Sequence, residues 1–115
     1  MAVKEMTPVK GNVNEITKFA FETATKAADG FVFKRPRVTD EYLVIVVTNT
    51  DTAAQTIALK APTNGSYAAA SSDETLSLEA GEYAVIRIES ARYANNDGTV
   101  TLVPSNVAVK AAVLY

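Results

Sequence analysis

Seven consecutive residues, Tyr42-Leu43-Val44-Ile45-Val46-Val47-Thr48, constrain this chain more than any other feature in it. The run is too short for an independently stable helix. Five of its side chains, from Val44 to Thr48, are β-branched and stiff at χ1, which suits a pleated surface. Polar triplets, Thr39-Asp40-Glu41 and Asn49-Thr50-Asp51, bound it on either side. An apolar strand with no polar alternation has to be covered on both faces, so the run predicts a central strand with protein on each side. The chain as a whole is rich in residues that suit a sheet, since 32 of its 115 residues are Val, Ile or Thr.

Downstream the pattern changes to alternation. In Gln55 to Lys60, Ile57 and Leu59 alternate with Thr56, Ala58 and Lys60, which predicts a hairpin partner with one wet face. Pro62, Asn64 and Gly65 break the pattern, and residues 66–73 form a small-residue loop. Thr75–Leu78 and Tyr83–Glu89 alternate again around Ala80-Gly81-Glu82, placing Leu76, Leu78, Ile86 and Ile88 in one core. Asn95-Asn96-Asp97-Gly98 signals a tight turn, and strands over Thr99–Val103 and Val107–Leu114 follow it. The last should point Val107, Val109, Ala111 and Val113 inward and Lys110 outward.

The stretch from Asn14 to Gly30 reads two ways. Ile16, Phe19, Ala20, Thr23 and Ala27 recur at helical spacing, whereas Phe19, Phe21, Thr23 and Thr25 alternate at period two. Its Thr and Phe content favours strand. Phe31-Val32-Phe33 predicts another short strand, ended by Pro36. Seven to nine short strands between turn signals describe an all-β chain, a single antiparallel β-sandwich, immunoglobulin-like or jelly-roll-like, over residues 13–115. An extended N-terminal arm, residues 1–12, precedes it, with Pro8 preventing a helix interior.

The composition removes most catalytic chemistry. Cys, His and Trp are absent, so thiol nucleophiles, disulfides, Cys or His metal ligands, His acid/base catalysis and Trp sugar platforms are all excluded. Asp40-Glu41 and Asp73-Glu74 are sequence neighbours, so in extended structure their carboxylates point to opposite faces. Asn95 to Gly98 lacks the spaced acidic ligands and closing Glu of an EF-hand, and reads as a plain turn. No elbow motif surrounds any serine. We therefore expect no enzyme, no cofactor and no metal.

Net charge is −2, too balanced for a protein that gains affinity by neutralising phosphates, and we expect no nucleic-acid partner. The charge is uneven: residues 1–40 carry +2 and residues 41–115 carry −4. No apolar stretch of signal-peptide length follows Met1 and no window approaches a membrane span, so we expect a product made in the cytoplasm with no membrane partner. Lys34-Arg35-Pro36-Arg37 is the basic cluster, either a solvated loop or a grip on an acidic protein surface. The five tyrosines read as core and strand-end residues, with Tyr67 the exception in its small-residue loop.

Several segments together resemble small virion proteins of tailed phages and prophages, of the capsid decoration or head-stabilising type. They are Ala2 to Val9, Leu43 to Thr50, Thr56 to Ala61, Leu76 to Gly81, Ile88 to Tyr93 and Asp97 to Val100. The resemblance is one of strands and turns and spans most of the chain from Ala2 to Leu114. It implies a protein that binds the outside of an assembled capsid and clamps neighbouring copies of the major capsid protein, either singly or as a homotrimer or other homo-oligomer. On that reading the capsid contacts are Val3, Lys4, Met6 and Val9 of the arm, supported by Lys34, Arg35 and Arg37, with Arg92 and Tyr93 as a second contact. A tail-tube or fibre component is the alternative within the same biology. A carbohydrate or surface-adhesion module is the alternative outside it.

Overall fold

A computed structural model describes residues 3–115, so the first two residues of the expected arm lie outside the described range. Within that range eight strands form two sheets: β1 (Lys4–Glu5), β2 (Phe31–Lys34), β3 (Val44–Asn49), β4 (Gln55–Leu59), β5 (Glu74–Leu78), β6 (Tyr83–Ile86), β7 (Thr99–Pro104) and β8 (Val109–Leu114). The larger sheet has the order β1-β2-β7-β4-β5 and the smaller the order β6-β3-β8. All neighbouring strands run antiparallel except β1 beside β2. A 3-10 turn at Asp40–Tyr42 leads into β3, and one helical turn, α1 (Ser90–Tyr93), follows β6.

Period two explains the core directly. Phe31, Phe33, Val100, Leu102, Ile57, Leu59 and Leu78 point inward from the larger sheet and Ile45, Val47, Val109, Ala111 and Val113 from the smaller, forming one buried cluster. Leu78 and Ile88 are buried in it, and Leu76 and Ile86 pack against it half-buried.

Three expectations are corrected. The strand over Gln55–Leu59 is not a hairpin partner of β3: it lies in the other sheet, between β5 and β7. Both edges of β3 are taken by β6 and β8, and the buried Asn49 amide fastens the crossing, donating to the carbonyls of Ala53 (2.9 Å) and Leu78 (3.1 Å) and accepting from Asp51 N (2.9 Å). The amide's polar groups are thereby paired although the side chain is buried. Residues 14–30 form neither the helix nor the strand; a single bridge, Glu22 to Ala111, is their share of the sheets. Val107 is exposed, because β8 begins only at Val109.

The N-terminal chain links the two sheets. Lys4 N donates to Gly30 O and Met6 N to Val32 O on the edge of β2, and three residues later Val9 exchanges bonds with Val113 and Tyr115. Glu22 then pairs with Ala111 through both of its main-chain groups. Its carboxylate also reaches back to accept from Thr7 N (3.1 Å), with the Lys4 ammonium 3.7 Å away. The outer edge of β8 is thus occupied by residues 9–11 and 22 of the same chain.

Candidate binding surface

The outward side of the smaller sheet is unusually apolar for a surface that should be wet. Val44, Val46, Val85 and Leu114 alternate out from the core on its three strands, with Tyr83, Lys110 and the covered Thr48 and Ala112 on the same side. Residues 11–20 are exposed along their whole length and pass beside this face. Phe19 meets Phe21 edge to face with ring centroids 5.6 Å apart, and Phe21 in turn lies 6.1 Å from the Tyr83 ring.

Between the crossing segment and the sheet lies a groove of about 320 Å³. Val9, Phe19, Tyr42, Val44, Leu114 and Tyr115 provide its apolar walls. Next to it on the chain, Val13 is 88% exposed and Ile16 is 98% exposed. Both belong to the same exposed stretch of backbone as Thr17 and Phe19 of the groove wall.

The 3-10 turn separates this groove from a second, charged one. Tyr42 lines the first, while Asp40 and Glu41 line the second together with Arg87, Glu89, Arg92 and Tyr93. Arg92 sits 5.9 Å from the centre of the Tyr93 ring. Asp40 joins the parts, accepting from Arg35 (2.9 Å) and from the Ser90 main chain (3.0 Å) and hydroxyl (3.3 Å). Partial burial would raise its carboxyl, but the bonds from Ser90 and Arg35 outweigh that and hold it below the ordinary aspartate value.

Of the residues expected from sequence to make contacts, the structure brings some together and not others. Arg35 and the Arg92-Tyr93 pair share a neighbourhood through Asp40. Arg35 is engaged internally, donating also to Val38 O at 2.7 Å, whereas Lys34 and Arg37 are exposed. Val9 of the arm lines the apolar groove, and the other arm residues are elsewhere. Lys4 aligns with Phe31, at the far end of β2 from Lys34. Met6 is buried in the core, Val3 is half-buried, and Val9 is half-buried with its main chain bonded to β8. Sequence reasoning missed Thr17, Phe19, Tyr42, Val44 and Leu114 as groove residues. The signal was the excess of apolar residues on both parities of β3.

Among the described residues no three Asp or Glu side chains gather closely enough to hold a metal ion, and no helix is long and apolar enough to cross a membrane. No family model matches the chain, and neither a curated protein nor a solved structure was found similar to it.

Proposed function

We propose that this protein is a non-enzymatic structural component of a tailed-phage particle, a decoration protein that binds the outer surface of the capsid and stabilises it. The observation that carries the reading is the apolar groove flanked by solvated Val13 and Ile16. Side chains of this kind gain free energy only when a partner covers them. The resemblance in strands and turns supplies the class of partner, the major capsid protein. On this reading the two sheets around one core make a single β-sandwich, immunoglobulin-like or jelly-roll-like, and the location is the capsid exterior.

The docking surface proposed is the groove with residues 13–19, together with the charged cleft that holds Arg92 and Tyr93. The arm contributes Val9 to the groove wall and holds that surface in place through the buried Met6 and the main-chain bonds of Val9. Exposed Lys34 and Arg37 remain proposed rim contacts. Many identical weak contacts on a symmetric shell sum to a large stabilisation, so each site needs only modest affinity.

The test mixes purified protein with empty expanded heads of the phage or prophage that carries its gene, and follows co-sedimentation and the melting of the shell. Saturable binding with a raised shell melting temperature is expected. A double variant, Val13→Asp with Ile16→Asp, should keep its own melting temperature and lose the heads. Wild-type protein that leaves the heads bare, or coats them without raising their melting temperature, would sink the proposal.

A further inference from the structure

The edges of the two sheets are finished differently. On one side the β1 edge is only two residues long, and β8 is covered by Val9, Gly11 and Glu22. On the other side, β5 and β6 are both terminal, and among the described residues no strand pairs with their outer edges. β5 protects itself with polar exposed residues, Glu74, Thr75 and Ser77. β6 does not: Tyr83 is 67% and Val85 61% exposed, and neither carries a charge.

The hydrogen bonding fixes which groups of β6 are free. Glu82 O accepts from Asn49 N at 3.0 Å, and the register then pairs Ala84 with Val47 and Ile86 with Ile45 as bonded partners. Tyr83 and Val85 between them turn their main-chain N–H and C=O groups to the bare edge.

We propose that β6 is a self-pairing edge, joining two copies of this chain antiparallel about a twofold axis that passes beside Val85. This register is self-complementary. Val85 faces Val85 of the second copy, and Tyr83 faces its Arg87, whose guanidinium is held by Glu41 O in its own copy. Glu82 and Glu89 lie outside the paired stretch, so no two like charges are opposed within it. The edge-directed groups from Tyr83 to Arg87 all find partners, and the apolar outer faces of the two small sheets become continuous. A contact this short buries less than the ~1,200 Å² of a stable interface, so the dimer is transient and forms at high protein concentration. The proposal does not rest on the capsid reading, and its test uses no heads.

Because the chain has no cysteine, single-cysteine variants report the contact cleanly. Residues facing each other as a bonded antiparallel pair have Cα atoms about 5.5 Å apart, within disulfide reach. Under mild oxidation Val85→Cys should give a covalent dimer, and Ser77→Cys on the β5 edge should give much less. In sedimentation at near-millimolar concentration the wild type should exceed the 12.2 kDa of a monomer. Val85→Lys should stay monomeric with an unchanged melting temperature. A wild type that remains monomeric, a Val85→Lys variant that dimerises equally, or equal cross-linking of the two cysteine variants would overturn the proposal.

Discussion

Gly30 and Gly81 both hold positive φ, 68° and 75°, yet their surroundings differ. A Cβ at Gly30 would overlap the carbonyl oxygen of Leu102, while at Gly81 it would meet open space. Gly81→Ala should therefore cost only the left-handed backbone penalty, ~1–2 kcal/mol. Gly30→Ala adds a backbone collision at the point where Lys4 N bonds to Gly30 O, and should cost ~3 kcal/mol or more. Urea unfolding of the two variants checks this, and equal losses would contradict it. Asn49 is the polar counterpart. Its amide serves the carbonyls of Ala53, Leu78 and Glu79 and the main chain of Asp51, from a fully buried position. Asn49→Ala should lose ~2–3 kcal/mol through the groups left unpaired. Asn49→Asp keeps the acceptor for Asp51 N but sets a carboxylate against three carbonyl oxygens, so it should be worse than Ala at neutral pH.

At the scale of elements, residues 3–22 divide into a part that holds the fold and a part that does not. Met6 lies in the core, so Met6→Ala should cost ~2–4 kcal/mol. Ile16 touches solvent nearly everywhere, so Ile16→Ser should change stability by less than ~0.5 kcal/mol. Paired thermal melts decide between this and a segment that is uniformly structural. The contrast also marks what was legible in the sequence. Strands β2 to β8 were readable because each has its own period-two pattern or apolar run. Their distribution between two sheets was not, since alternation fixes which face is buried and says nothing of which neighbour completes the ladder. β4 follows β3 in the chain and lies in the other sheet because the later strands β6 and β8 take both edges of β3, which a local pattern cannot announce. The alternation of Phe19 and Phe21 was real but led elsewhere: those rings meet each other and Tyr83 outside the core, with no ladder beneath them. Likewise Val44 and Val46 looked like residues buried beneath a second layer. They are instead the half-covered outer side of the small sheet, which is why the groove residues were read as core.

Across the whole molecule, the two sheets share one core while their loops are tied by carboxylates. Asp73 accepts from Lys60 and from Ala61 N, Asp51 from Gln55 and Thr52 N, and Asp97 from the Thr99 hydroxyl and main chain. Those bonds hold all three carboxyls below the ordinary aspartate value, as Ser90 and Arg35 do for Asp40 against the opposing effect of burial. A carboxyl depressed in the folded state contributes stability that is fully present above its unfolded value, about 3.9. The contribution shrinks as pH falls below that value and is gone once the folded carboxyl is itself protonated. With no histidine in the chain, no side chain has an ordinary pKa between about 5 and 8 to add a second slope. The melting temperature should therefore be level from about pH 8 to 5 and fall steadily below about pH 4. Because the four carboxylates sit in loops and turns joining strands, acid should loosen those connections before it opens the apolar core. Hydrogen exchange at about pH 3 should accelerate first at Thr52, Ala61, Ser90 and Thr99, whose amides the carboxylates accept, and last at Ile45, Val47 and Val113. A melting temperature that stayed level to pH 2.5, or exchange that rose uniformly, would contradict this division between loop and core.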